Sequence, residues 1–556
     1  MRPRASALWI VAVLGAILAL APAALAQQDA LVPQTVFPET ADVPPRGFEL
    51  SRNEAVRIAD GVPQVREQRA EHPRMRETVV IPLYRGKGAE FNVYYWEGET
   101  VLADVYVDGV TGEVNEVWTG PQAATLLARG EDPPLGRAMN RPYVWVPLAL
   151  LFLLPFFDPT RPFRLLHLDL LVMLAFGISQ IWFNSGDIDV SVPAVYPLLA
   201  YLLVRMLFAG FRPRPRNESL VPLARTSWLV VGLVTLVVFR IVLNAVDSSV
   251  IDVGYASVVG ADRIVHGEEL YVNNDIHGDT YGPVNYIAYI PFELIFPWDG
   301  TWGSVPAAHA AAITFDLLVI IGLTLLGTRL RSGAEGRRLG VALAFAWAAY
   351  PFTLLALQAN TNDALVAALL VAALLSLGSA GGRGVLVGLG AMAKFVPAAL
   401  APLFATGTGA QRRALDWPRF AGAFAAVVAL SIVVYLPPGG LRELYDTTIG
   451  FQLGRQSPLS LWGLHDGLGP IQDALKVAAI GLAAAVAFVP RRRDLRQVAA
   501  LGAAVLLAVQ LPATHWMYFY LVWVAPLALV ASMAAYRTAP VGATSGRMAK
   551  AETPLG

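Results

Sequence analysis

The run SWLVVGLVTLVVFRIVLNAV (Ser227–Val246) is followed almost at once by DVGYASVVGADRIVHGEELYVNNDIHGDTYGP (Asp252–Pro283). The first piece is apolar and of bilayer length, so it reads as a membrane-spanning helix. The second piece therefore lies at a membrane surface. It carries Asp252, Asp262, Glu268, Glu269, Asp275, His277 and Asp279, with Tyr255, Tyr271 and Tyr281 between them. Ionisable groups held against a bilayer are costly and mark a ligand or a reaction.

Composition agrees with a membrane protein. Of 556 residues, 55% are hydrophobic and only 15% charged, where a soluble chain carries about a quarter. The formal net charge is +0, which gives no general attraction to nucleic acid. The absence of Cys excludes disulfides, thiolate nucleophiles and Cys-ligated metals. Seven scattered His give no paired metal-ligand spacing.

Outward from the opening stretch, the N-terminus reads as a secretory signal over residues 1–26. Arg2 and Arg4 precede an apolar Ala7–Leu20, and Ala24-Leu25-Ala26 is an A-x-A cleavage site. An uncleaved first membrane helix is the alternative. Residues 27–141 read as a small extracytoplasmic α+β domain. Helical spacing at Glu54–Ala59 is followed by strands near Thr78–Leu83, Phe91–Trp96, Val101–Val107 and Glu113–Val117, with glycine turn signals between them. The last hairpin, Val107-Asp108-Gly109-Val110-Thr111-Gly112-Glu113-Val114, resembles the turn of PepSY domains, which implies a binding or regulatory role.

From Tyr143 onward, apolar runs alternate with short polar links, giving a polytopic α-helical membrane protein with about 11 spans. They lie near Tyr143–Phe157, Leu165–Phe183, Ala194–Phe211, Ser227–Val246, Val305–Gly327, Leu339–Leu357, Ala364–Leu377, Phe420–Leu436, Ala474–Pro490, Val498–Leu511 and Met517–Ala534. Tyr281–Trp298 holds three prolines and reads as a juxtamembrane piece. Gly384–Ala405, broken by Lys394 and Pro397, reads as a re-entrant pair of short helices. The spans divide into accessory helices (142–225) and a larger domain (226–536), before a short disordered cytoplasmic tail (537–556). With the N-terminal domain outside, arginine-rich links fall inside, and the C-terminus is cytoplasmic in the plasma membrane. The acidic stretch, Gln358-Ala359-Asn360-Thr361-Asn362-Asp363, Lys394, Arg455 and His515 then share the extracytoplasmic face.

Beyond Thr226 the chain resembles the GT-C class of glycosyltransferases, and more closely glycosyltransferase family 87. The residues that carry this are Asp252 and Tyr255, Gly267-x-x-Leu270-Tyr271, Tyr281-Gly282-Pro283, Gln358-x-Asn360, Lys394 with Pro397, and His515 with Tyr518. In one departure, Leu357 stands where the family has Gly before the Gln. The resemblance implies transfer of a hexose, with mannose favoured, from a polyprenyl-phosphate donor to a lipid or glycan acceptor.

No nucleotide-binding pattern is present, as a lipid-phosphate donor allows. Inverting transfer needs a carboxylate base, which the resemblance places on Asp252; Asp252 also fits as a helix N-cap. Lys394 and Arg455 are candidate phosphate partners, alongside snorkelling and plain solvation. Tyr255, Tyr271, Tyr281, Gln358, Asn360 and His515 complete the donor and substrate set, although belt aromatics and helix caps explain some of them equally. Asp262, Glu268, Glu269, Asp275, His277 and Asp279 offer oxygen ligands for a divalent cation, or form a solvated loop. No metal site or other cofactor is assigned. The rival functions are a lipid-substrate transporter, which requires an inverted repeat, and a sensor working through the outer domain.

Overall fold

The computed structural model describes residues 34–35, 41–81, 89–98, 100–119, 137–184, 188–222, 225–271, 280–300, 305–408, 416–454, 457, 459–465 and 467–538. The expected signal peptide, nearly all of the tail, and Asp275, His277, Asp279, Trp302 and Arg455 lie outside these residues.

The N-terminal domain is an antiparallel meander with two helices. Strands β1 (Gln34–Thr35), β2 (Arg76–Ile81), β3 (Glu90–Glu97), β4 (Thr100–Asp108) and β5 (Val114–Thr119) pair in sequence order. Helix α1 (Arg52–Asp60) starts in a capping box between Ser51 and Glu54. Helix α2 (Pro63–Glu71), which periodicity did not foretell, starts with Pro at its first turn. Period-2 alternation sends Phe91, Val93 and Tyr95 of β3 and Ala103, Val105 and Val107 of β4 into one core with Ala55, Ala59 and Val65. At the last hairpin, Asp108 Oδ1 accepts from the N–H groups of Val110 (2.9 Å) and Thr111 (2.7 Å). Gly112 there sits at φ +74°, a conformation that favours glycine.

The membrane part is helical throughout its regular structure. Its helices are α3 (Pro142–Leu153), α4 (Leu165–Asn184), α5 (Ile188–Phe211), α6 (Thr226–Val246), α7 (Asp252–His266), α8 (Pro306–Leu330), α9 (Gly333–Ala349), α10 (Pro351–Gln358), α11 (Asp363–Leu375), α12 (Ala380–Ala393), α13 (Ala401–Thr406), α14 (Asp416–Val434), α15 (Gly469–Phe488), α16 (Leu495–Gln510) and α17 (Leu521–Met533). All eleven expected spans are helical. Among the described residues, six helices are long and apolar enough to cross a membrane, and α9 with α10, bent by 58°, makes a seventh. The others are shorter apolar helices. Tyr281–Trp298 forms two short helical turns, Pro283–Ile287 and Ile290–Glu293, and no span. α12 stops at Lys394, whose extended backbone leads through a 3-10 turn at Val396–Leu400 into α13.

Lipid offers little hydrophobic drive between helices, so close packing and internal polar bonds must hold the bundle. A Cβ on Gly327 of α8 would stand 2.1 Å from the Gly340 nitrogen of α9, so these helices touch through their backbones. Arg240, the one charge inside the Ser227–Val246 run, is fully buried. Its guanidinium grips Asp316 of α8 through Nη2 (2.6 Å) and Nε (3.0 Å), and Trp347 Nε1 donates to the same carboxylate at 2.8 Å. A buried charge held this way is tolerable only because it is fully paired.

Candidate active site

The turn Ala359–Asn362 between α10 and α11 is the hub of the polar end. Gln358, Asn360, Thr361, Asn362 and Asp363 are all at most 1% exposed, so each polar atom must find a partner inside the protein. Asn360 holds φ +50°, and its side chain fixes the turn. Its Nδ2 donates to Ser249 O (2.8 Å) and Ser248 Oγ (3.1 Å), while its Oδ1 accepts from Asn244 Nδ2 (2.8 Å). With its amide assigned so that the nitrogen faces Asp247 O, Gln358 donates there (2.6 Å) and its oxygen accepts from Asn244 N (3.1 Å). His309 Nδ1 lies 3.1 Å from Asn244 Oδ1 and 3.2 Å from Ser248 Oγ. Gln358 and Asn360, expected to meet substrate, are instead spent on holding the turn against the end of α6. The sequence offered no sign of Asn244 or His309 as their partners.

The backbone of the 247–252 segment runs beside this turn. Ser249 N donates to Gln358 O (3.0 Å) and Ile251 N to Ala359 O (3.3 Å). Asp252 then opens α7. It is the first helical residue, and the cap position belongs to Ile251, which corrects its expected place as N-cap. Its carboxylate is exposed and accepts only from the adjacent Val253 N–H (2.8 Å) among the hydrogen bonds described. A Cβ on Gly254 would stand 2.4 Å from Asn360 O, so glycine is what lets α7 seat on the turn.

One and a half turns along α7, about 7.5 Å of rise, Ser257 Oγ accepts from Asn285 Nδ2 (2.9 Å). Asn285 Oδ1 in turn accepts from Asn362 Nδ2 (2.7 Å). The next residue, Asp363, is the first of α11, and its Oδ1 receives Lys394 Nζ at 2.6 Å and Trp523 Nε1 at 2.8 Å. The ammonium sits between two rings, 5.3 Å from Trp523 and 5.5 Å from Tyr281. Lys394 is therefore neither snorkelling nor a lone cation awaiting phosphate, because Asp363 already balances its charge.

The remaining candidates fall around this pair. Tyr281 is fixed by the Tyr271 hydroxyl, which donates to its carbonyl at 2.9 Å, so Tyr271 acts through Tyr281. His515 lies 2.9 Å from Ser457 Oγ through Nδ1 and packs on Tyr520, which stacks on Trp523 at 4.4 Å. That ring ladder connects His515 to the ion pair. Tyr255 packs edge-on to Trp298 at 5.7 Å, away from the pair. Among the described residues, no group of three or more His, Asp or Glu stands together to hold a metal ion. Glu268 and Glu269 instead line a small cleft of about 190 Å³ with Tyr271 and Tyr435. It lies at the opposite end of α7 from Asp252, about 20 Å away by helix rise.

An exposed carboxylate, a buried ion pair and a ring platform thus stand at one end of a polytopic helical bundle. Residues 280–514 match the model of Glycosyltransferase family 87. The match supports membrane glycosyltransferase activity. No curated protein matches the sequence. The family match leaves out residues 27–141, where the PepSY-like resemblance rests on the Asp108–Gly112 hairpin and the meander alone.

Proposed function

We propose that the protein transfers a hexose, mannose first among candidates, from a polyprenyl-phosphate donor to a lipid or glycan acceptor on the extracytoplasmic side. Transfer proceeds with inversion. The acceptor hydroxyl oxygen attacks the anomeric carbon, the Asp252 carboxylate takes the hydroxyl proton, and the bond to the phosphate oxygen breaks. The lipid phosphate leaves with the electron pair. The observation that carries this reading is the placement of Asp252. It is a solvent-facing carboxylate seated by backbone bonds on the same buried turn that holds the Lys394–Asp363 pair. The arginine-rich links at the opposite end of the bundle favour an extracytoplasmic position for this end.

Because Asp363 balances the charge of Lys394, Arg455 is the candidate cation for the leaving phosphate. The family match favours the transferase over the transporter. The test is sugar transfer in membranes offered radiolabelled polyprenyl-phosphate hexoses. Asp252→Asn should lower transfer by about 10²–10⁴-fold, the usual worth of a general base, without loss of folded protein, because the side chain is exposed. Transfer within threefold of wild type in a folded Asp252→Asn protein would remove Asp252 from the mechanism. Absence of transfer by wild type across the donor panel would overturn the donor class.

A further inference from the structure

A cleft at the other end of the bundle has no part in the reaction above. It is an open space of about 620 Å³ beside the link from α3 to α4, lined by Arg161, Phe163, Arg164, Arg216, Glu218 and Tyr536 among others. Its residues fall outside the family-matched segment. The floor is built: Arg216 N donates to Ala535 O (2.7 Å), Arg537 N to Glu218 O (2.9 Å) and Leu220 N to Arg537 O (2.7 Å). This clamp ties the accessory helices to the C-terminal end of the catalytic bundle.

Arg164 forms the back wall at 5% exposure. Its Nη2 donates to Ser219 O at 3.0 Å, and its guanidinium lies 4.6 Å over the Tyr536 ring. Its Nε and Nη1 make no hydrogen bond, although Glu218 stands 3.3 Å and Asp158 3.7 Å away. Both N–H groups are ion-paired but lack directed hydrogen bonds, and a tetrahedral oxyanion suits a planar guanidinium fork. Arg161, with 59% of its side chain exposed, and Arg216 flank the opening, so three guanidinium groups face two carboxylates.

Exposed apolar side chains border the mouth. Phe163 is 100% exposed, and from one turn further along α4 the side chains of Leu168, Leu171, Ile178 and Ile181 form an exposed stripe at helical spacing. A headgroup seated on the arginines would let its acyl chains run along that stripe. We propose that this cleft binds the phosphate of an anionic membrane lipid in the leaflet opposite the active site. Such a lipid would clamp the accessory helices to the catalytic bundle from outside. The inference stands whether or not Asp252 is the base.

The test uses the purified full-length protein in a zwitterionic detergent. Thermal unfolding is followed against dihexanoyl-phosphatidylglycerol, dihexanoyl-phosphatidylcholine and inorganic phosphate. The anionic lipid should raise Tm saturably. In the Arg161→Gln/Arg216→Gln protein, whose changed side chains border solvent, half-saturation should move at least about tenfold higher, as the loss of two interfacial arginines implies. Phe163→Ser should weaken the lipid response as well. An unchanged midpoint in the double variant, or equal midpoints for the two lipids, would overturn the proposal. So would inorganic phosphate matching the lipid, which would make the cleft a site for free anions.

Discussion

The two ends of the membrane bundle handle buried polarity differently. At the active end, side chains bond to side chains: Asn244 to Asn360, Ser257 to Asn285 to Asn362, and Lys394 to Asp363. At the arginine end, guanidinium groups bond backbone carbonyls at helix C-termini. Arg383 donates to Phe404 O (2.7 Å), Arg493 to Gly407 O (2.6 Å) and Ala487 O (3.2 Å), and Arg496 to Ala531 O (2.8 Å). Arg331 donates to Ala534 O (2.9 Å) and Tyr536 O (2.6 Å). Those carbonyls lack partners within their helices and sit at the negative ends of helix dipoles, so arginine serves as a staple there. These arginines thus close helix ends. The arginine end also holds a buried ion pair, Arg205 Nε with Asp169 at 2.9 Å, but there most of the buried guanidinium groups go to backbone carbonyls.

The contrast can be broken most sharply at the ion pair. Lys394→Met strands the Asp363 carboxylate at 1% exposure, which should destabilise the protein by about 3–5 kcal/mol in detergent unfolding. Lys394→Met combined with Asp363→Leu should recover most of that loss. A single variant as stable as wild type would show that the pair does not hold this end together.

The arginine end should answer in a different way. Arg493→Gln removes charge-assisted bonds to the ends of α13 and α15 and should cost about 2–3 kcal/mol of stability. Transfer per folded molecule should stay unchanged, since no part of the proposed site is touched. A selective loss of turnover would erase the division of labour between the two ends.

Gly254→Ala probes the seat of α7. Relieving a 2.4 Å contact with Asn360 O must move α7 or the turn, at a cost of about 1–3 kcal/mol. Because Asp252 rides on that helix, transfer should fall by more than the loss of folded protein explains. Proportional losses of the two would separate the seat from the chemistry.

The smallest effect belongs to the outer domain. The Thr111 and Val110 N–H groups hold the Asp108 carboxyl below its ordinary value. Its stabilisation is therefore complete above the unfolded value near 3.8 and is lost as pH falls through the lower native one. Hydrogen exchange of the β4–β5 hairpin in the full chain should quicken slightly more on acidification in wild type than in Asp108→Ala. Since the group is almost fully solvated, the difference should be slight.

Much of the architecture was legible as pattern. Bilayer-length apolar runs located the spans, Lys394 and Pro397 marked the break between α12 and α13, and period-2 alternation placed β2 to β5. The polar segments at one end, Asp252 to Tyr281, Gln358 to Asp363 and Lys394, were also visible as departures from apolar sequence. Their roles were not. Gln358 and Asn360 looked like ligand groups because buried amides and binding amides are the same residues. Lys394 looked like a free cation because its carboxylate partner is 31 positions away, on another helix. Asn244 and Trp523 carried no signal at all, since one polar group or one Trp in an apolar run has many possible surroundings.

The sequence alone therefore determined that the chain is a polytopic membrane protein with its arginine-rich links set apart from the polar segments at Asp252–Tyr281, Gln358–Asp363 and Lys394. Hydrophobic length and charge placement are local properties, set by the cost of moving each residue into lipid. Only the tertiary structure decided which of those groups meet. Asp363 neutralises Lys394, the 358–363 turn seats Asp252, and Arg164 meets Ser219 and Tyr536. Each of these contacts joins segments far apart in the chain, and it is the packing of one helix against another that fixes such distances.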